Sequence, residues 1–379
     1  MNTPNAVVIG GGQAGLATAH VLRTRGLRPV VLEAGPEPVG SWPHYCDSLT
    51  LFSPARYSAL PGLAFDGDPH RYPHRDEVVA YLQRYAAHLD AEIRTGEQVT
   101  NVAHRDGRFQ VTTGTGAQFE APMVIAATGG FSRPYRPELP GLADFTGTLL
   151  HSSDYRVPGP LAGQRVVVVG AGNSAVLVAV ELATHADVTL ATRGRIRFVR
   201  QRLFGRDVHF WTTITGLDAL PVGPWLATPP GSPVFDHGRF RAALARRQPY
   251  QRPMFSRVDG TTVTWSDGSR EDIDAIILAT GYRPALDYLA PLRTVTPSGR
   301  PLHRAGASST HLGLGYVGLG WQRGLASATL RGVGRDAAYL VSRLLSRLPA
   351  LTRMSRPRTG ARSAGLTGTP SPEGAGTSP

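Results

Sequence analysis

Two stretches of the chain repeat one order of apolar run, glycine cluster and helical periodicity. In the first, apolar residues 6–9 lead into Gly10-Gly11-Gly12-Gln13-Ala14-Gly15, then a helical pattern through Leu22 and a second apolar run, 29–32, that ends at Glu33. In the other, residues 165–169 lead into Gly170-Ala171-Gly172-Asn173-Ser174-Ala175, a helix to about Ala183 and a strand over 187–190. Each stretch predicts strand, tight turn, helix and strand, the βαβ core of a dinucleotide-binding fold. Between them, residues 77–89 predict an amphipathic helix. Residues 100–113 and 117–126 predict strands around glycine-rich turns, ending in Ala127-Thr128-Gly129-Gly130. Beyond the second unit, 261–265 and 273–278 form a similar pair around Asp267-Gly268 and end in Ala279-Thr280-Gly281-Tyr282. A last helix is expected over 324–348.

The pattern therefore predicts an α/β protein with two Rossmann-like dinucleotide-binding domains, each carrying a small β-meander. The outer domain is expected over 1–155 and 276–350, with the other domain inserted at 156–275. Residues 351–379, rich in Gly, Pro, Ser, Thr and Arg, are expected to form a disordered tail.

Composition narrows the function. Hydrophobic residues make up 41% of the 379, enough for two cores. The longest apolar runs are strand-length, so no membrane partner is expected, and the absence of a basic leader makes the cytoplasm the expected location. The net charge of +12 comes from arginine without any lysine. Because those arginines are dispersed apart from 193–206 and the tail, nucleic acid is not expected as a partner. Cys46 is the only cysteine, so disulfide exchange through a cysteine pair is closed. His44, His70 and His74 lie at no metal-ligand spacing, and no metal is expected.

The glycine turns carry the chemistry. Gly10 permits the tight turn, Gly12 a close approach to pyrophosphate, and Gly15 close helix–strand packing, while Gln13 and Ala14 open the helix toward the phosphates. Glu33 can accept hydrogen bonds from both ribose hydroxyls, which requires an unphosphorylated ribose, as in FAD or NAD. Aligning the second strands puts Ala191 where the first unit has Glu33, followed by Thr192, Arg193, Gly194 and Arg195. Loss of a carboxylate and gain of guanidinium suits a 2′-phosphate, so NADPH is expected over NADH at Gly170, Gly172, Asn173, Ser174, Arg193 and Arg195.

Further motifs resemble a known family. Phe145-Thr146-Gly147-Thr148-Leu149-Leu150-His151-Ser152-Ser153-Asp154-Tyr155 matches the FxGxxxHxxxY/F signature of flavin-containing monooxygenases, just before the second glycine turn. Ala279-Thr280-Gly281-Tyr282 matches that family's ATGY linker, and Gly170-Ala171-Gly172-Asn173-Ser174 resembles the GxGNS turn of its plant YUCCA-type and bacterial members. The resemblance spans about residues 5–345. It implies FAD in the outer domain and NADPH in the inserted one. It also implies a monooxygenase that adds oxygen to reduced flavin at C4a and passes one atom to a small molecule, with molecular oxygen as co-substrate. It makes His151 an organiser of the NADP site and places Thr128, Gly129, Thr280 and Gly281 at the domain crossings, the first two near FAD. Trp42, Tyr45, Asp47 and Ser53 are candidates to line the flavin pocket. The last helix, opening at Gly324 and Leu325, would aim its N–H groups at the flavin pyrimidine.

Two departures leave the substrate open: Tyr155-Arg156 stands where Baeyer–Villiger relatives carry Trp-Pro, and residues 51–56 lack the asparagine many relatives place against the flavin. An NADPH oxidase that inserts no oxygen, and a catalytically silent flavoprotein acting as a binding module, are the alternatives. No catalytic side chain is singled out.

Overall fold

The computed structural model describes residues 4–226, 231 and 233–348. The predicted tail at 351–379 lies outside them. Two sheets organise the chain, the first parallel at its centre with antiparallel edge strands and the second wholly parallel. The first has seven strands, and at its heart Leu314–Tyr316, Val124–Ala126, Ala6–Ile9, Pro29–Leu32 and Glu92–Arg94 lie side by side and parallel. The second has five, all parallel, in the order Tyr250–Pro253, Asp187–Thr192, Arg165–Val169, Ala275–Leu278 and Thr148–His151. Strands buried on both faces read as unbroken apolar runs, and Ala6–Ile9, Val166–Val169 and Ala275–Leu278 do so.

Each sheet is covered on both faces. Helices Gln13–Thr24, Arg75–His88 and Leu330–Leu345 pack on one face of the first, around Leu16, Leu22, Tyr81, Leu82, Val333 and Leu340. Its other face takes the antiparallel meander Val99–Arg105, Arg108–Thr113 and Gln118–Ala121. The second sheet repeats the plan, with helix Asn173–Leu182 on one side and the meander Arg257–Asp259, Thr262–Thr264 and Arg270–Asp272 on the other. Each fully buried aliphatic side chain here is worth about 1.5–3 kcal/mol over exposure. The helix at 75–88 starts where His74 and Glu77 form a reciprocal capping box.

Two boundaries differ from expectation. Thr148–His151 and Ala275–Leu278 pair with each other inside the second sheet, so that sheet begins before 155 and its last strand starts a residue before 276. The chain passes between sheets where Arg133–Pro134 pairs antiparallel with Tyr282–Arg283. The final helix begins at Leu330 with Thr329 as its N-cap, whereas 324 was expected. Residues ahead of it are held in turns: Arg323 and Gly324 both donate their N–H to Ser327 Oγ at 2.9 Å. Gly332 also lies so close to Ala326 that a Cβ would sit 1.8 Å from the Ala326 carbonyl oxygen.

Candidate functional site

The first glycine turn is shaped by contacts that exclude side chains. Gly10 has φ +104°, and a Cβ there would meet the Ala127 carbonyl oxygen at 2.8 Å; one on Gly15 would lie 1.8 Å from the Gly10 oxygen. Gly12 is the N-cap of helix Gln13–Thr24, with no side chain capping its N–H groups. Gly12 also abuts Gly40, whose own Cβ would come 2.8 Å from Gly12 Cα, so a second glycine outside the motif keeps this approach open. Glu33 is 8% exposed. It accepts from Gly11 N–H at 2.5 Å and Gly35 N–H at 2.8 Å, which fixes the carboxylate beside the turn. The set fits a dinucleotide: backbone cradle and helix N-terminus for the pyrophosphate, a fixed carboxylate for a ribose diol.

Thr128 and Gly129 close over this turn. Gly318 (φ +89°) packs between Ala14 and Gly129, and a Cβ there would meet that of Ala14 at 2.8 Å. Thr128 Oγ1 lies 3.3 Å from Tyr288 Oη. Gln13 is more tied than expected: its amide donates to Ala328 O at 2.9 Å and accepts from Trp42 Nε1 at 3.0 Å. It therefore anchors Trp42 and the segment ahead of the last helix to the helix N-terminus.

The second turn repeats the geometry and corrects the alignment. Gly170 N–H bonds Ala191 O as Gly10 N–H bonds Leu32 O, and the parallel registers pair Val169 with Ala191 and Ile9 with Leu32. Glu33 therefore corresponds to Thr192, one residue later than aligned, because the second strand runs further, over Asp187–Thr192. Thr192 is buried and its hydroxyl accepts from Gln251 Nε2 at 3.2 Å. Arg193, directly after it, is exposed, as is Arg195, and neither has a carboxylate partner among the described residues. A Cβ on Gly170 would meet the Ala279 oxygen at 2.4 Å, whereas one on Gly172 would meet nothing within 4 Å. Asn173 turns away and donates to Pro233 O at 2.9 Å. Ser174 stays exposed in the first turn of its helix.

His151 is fully buried and serves the crossing. Its Nδ1 accepts from Ser153 N–H at 3.1 Å, which leaves Nε2 to donate to Gly281 O at 3.1 Å. Tyr135 N–H also bonds Gly281 O, and Thr280 Oγ1 donates to Tyr135 O. With both ring nitrogens engaged by protein, His151 organises the crossing and offers no ring nitrogen to a cofactor, contrary to its place among the expected cofactor-binding residues. Burial lowers its pKa. The folded protein therefore holds it neutral, while the unfolded chain takes up a proton near pH 6.5. Its contribution to stability is complete above that pH and is lost as pH falls. His20, His303 and His311 act in the same direction. H151Q is expected to flatten part of the acid limb of Tm between pH 5 and 7; an unchanged limb would show that His151 carries none of it.

Gly324 and Leu325 do not open a helix, and the Gly324 N–H is already bonded to Ser327 Oγ. The expected dipole at that point is absent. Ser53 is buried and faces Ser58 (Oγ–Oγ 2.7 Å), and exposed Asp47 pairs with Arg75 at 2.6 Å. Cys46 is buried and burial raises its pKa, which keeps the thiol protonated. Arg156 holds the same loop by donating to Pro43 O at 2.9 Å and to Tyr45 O.

Sequence reasoning missed a clasp between the two halves. Asp207 accepts from His209 Nδ1 at 2.7 Å, from Gln201 Nε2 at 2.8 Å and from the Tyr72 hydroxyl. Burial pushes the Asp207 carboxyl up, but those bonds outweigh it and hold it at about 2. Gln201 also donates to Phe52 O, and Phe52 stacks on Phe235 at 4.9 Å. A second tie joins buried Asp218 to Arg331 at 2.9 Å. No group of three metal-ligating side chains occurs among the described residues.

Two glycine-turn βαβ units, one ending in a carboxylate and the other in Thr192 followed by arginine, define a two-nucleotide oxidoreductase. A family model described as pyridine nucleotide-disulphide oxidoreductase matches residues 7–212. An uncharacterized oxidoreductase, CzcO-like, of Geobacillus kaustophilus is 30% identical over 90% of this chain and 98% of its own length. Indole-3-pyruvate monooxygenase YUCCA1 of Oryza sativa subsp. japonica is 31% identical over 74% of this chain and 77% of its own. The solved flavin-containing monooxygenase from Stenotrophomonas maltophilia superposes with TM-score 0.81 at 34% identity, covering 92% of this chain and all of that one. The chain belongs to the pyridine nucleotide-disulphide oxidoreductase family and, within it, to the flavin-containing monooxygenases. It is a flavin-dependent oxidoreductase of a family that uses FAD and NADPH.

Proposed function

We propose that the chain is an NADPH-consuming, FAD-dependent monooxygenase that inserts one oxygen atom into a small molecule. The observation that carries this reading is the difference between equivalent strand ends, Glu33 fixed by two backbone N–H groups and Thr192 followed by exposed Arg193. FAD would lie on Gly10, Gly12, Gln13, Ala14 and Gly15 with its ribose at Glu33, under Thr128 and Gly129 and beside Trp42. NADPH would lie on Gly170, Gly172 and Ser174, its 2′-phosphate facing Arg193 and Arg195. When bound, the flavin accepts hydride and activates oxygen. The protein's part is to bind and orient the two dinucleotides and keep water out. The relatives and the shared fold support oxygen insertion over simple NADPH oxidation.

The test is anaerobic addition of NADPH to the purified yellow protein, followed by air and a panel of a sulfide, a tertiary amine, an arylpyruvate and a cyclic ketone. Bleaching followed by an oxygenated product supports the reading. Hydrogen peroxide equal to NADPH consumed, with every substrate unchanged, overturns it.

Gly172 offers a separate check. Alanine there enters open space at φ −93°, so G172A is expected to fold within about 0.5 kcal/mol of the parent yet bind NADPH at least about tenfold more weakly. Unchanged NADPH affinity by equilibrium titration would remove the pyrophosphate from this turn.

A further inference from the structure

Half of the large hydrophobic side chains exposed among the described residues fall in one short stretch: Phe204, Ile214, Leu217, Leu220, Val222 and Trp225. Phe204 is 92% exposed and Trp225 74%. Phe204 and Gly205, both with positive φ, form the tip of a hairpin made by Arg202–Leu203 and Arg206–Asp207. Trp211 braces that tip, its ring edge-on to Phe204 at 6.0 Å and its Nε1 bonded to Leu203 O at 3.0 Å. A single exposed leucine means little, but this run of exposed apolar side chains, beginning at a braced tip, marks a contact surface.

Within residues 200–225 the exposed charges have one sign. Arg200, Arg202 and Arg206 are exposed, and Arg304 lies over the Trp225 ring at 5.0 Å. The two acids of the stretch are withdrawn: Asp207 is taken up by Tyr72, Gln201 and His209, and Asp218 is buried against Arg331. Residues 200–225 themselves therefore present apolar side chains and guanidinium groups and no free carboxylate.

We propose that this hairpin and the segment around Trp225, beyond the helix Val208–Ile214, dock on an anionic lipid bilayer surface, with Phe204 and Trp225 entering the interface and the arginines meeting lipid phosphates. Aromatic and aliphatic side chains ringed by arginine suit that boundary. A second copy of the chain suits it less, because an isologous contact would set these arginines against themselves. Nucleic acid would answer the arginines but leave the apolar tip in water. The site departs from the sequence expectation of no membrane partner and needs no spanning segment: no helix among the described residues is long and apolar enough to cross a membrane.

The experiment is flotation of the full-length protein with vesicles of phosphatidylcholine alone or with 30% phosphatidylglycerol, at about 0.15 M and 0.5 M salt, for the parent, the F204S/W225S double variant and the R202E/R206E double variant. Both pairs of positions are exposed, and flavin content and Tm confirm folding. Binding is expected only to the anionic vesicles, weaker at high salt, down at least about tenfold in F204S/W225S and about tenfold or more in R202E/R206E. No binding by the parent, or equal binding by all three proteins, overturns the proposal; the latter would move the contact elsewhere, for instance to the arginines beyond residue 350. A concentration-dependent dimer in sedimentation velocity that is lost in F204S/W225S, with no vesicle binding, overturns it in favour of self-association.

Discussion

Valine at position 15 is expected to give a colourless chain of much reduced stability. The reason is local and requires no ligand: the Cβ alone would stand 1.8 Å from the Gly10 carbonyl oxygen. Either the helix Gln13–Thr24 moves off the Ala6–Ile9 strand or the turn opens. Both disturb the core around Val8 and Leu16. Overpacking against side chains costs about 1–3 kcal/mol, and backbone has less room to yield, so a loss of about 3 kcal/mol or more is expected in denaturant unfolding. Flavin content after purification should fall with it, because the same displacement moves the uncapped N–H groups. A yellow G15V protein of parental stability would mean that the turn is not built as described. The comparison with G172A separates two uses of glycine, one demanded by the protein's own backbone and the other proposed to be demanded by the bound nucleotide.

R193A is expected to raise the KM for NADPH by about 10–100-fold while leaving that for NADH within about twofold. A charge-assisted bond to phosphate is worth about 1.5–3 kcal/mol, and Arg193 follows directly on the strand position that holds Glu33 in the other unit. Since no carboxylate among the described residues competes for it, its whole hydrogen-bonding fork is available. Steady-state rates with both nucleotides decide the matter. Equal losses would assign Arg193 to packing or to the common part of the nucleotide, and no loss would pass the role to Arg195.

What could be read from the sequence was what depends on neighbours in the chain. Gly10, Gly15 and Gly170 declared their turns because the contacts that forbid a Cβ follow from strand–turn–helix geometry itself. The acid at the end of one strand and its absence from the other were also visible, although the pairing of Val169 with Ala191 was needed to show that Thr192 is the true counterpart. The sequence alone extends the last helix back to Gly324. Three-dimensional partners decide otherwise there: the Ser327 hydroxyl takes the N–H groups of Arg323 and Gly324. Gly40 and Gly318 were invisible as parts of the site, since each matters only through a glycine or alanine far away in sequence. The Asp207 cluster could not be foreseen for the same reason, as its Tyr72 hydroxyl comes from 135 positions earlier. The family signature implies an organising role for His151 at the NADP site, while its bond to Gly281 across the crossing required the fold.

The short ladder at Pro134 and Tyr282 bears on how such a chain can be taken apart. Paired strands run about 5 Å apart, hardly more than one peptide link, so the nested half leaves and returns through a single doorway. A gene joining residue 134 to residue 282 through one or two glycines would preserve every strand of the first sheet. Its product would be a contiguous mononucleotide-fold protein, shorn of its partner and exposing Tyr72 and Arg331, which the excised half now covers.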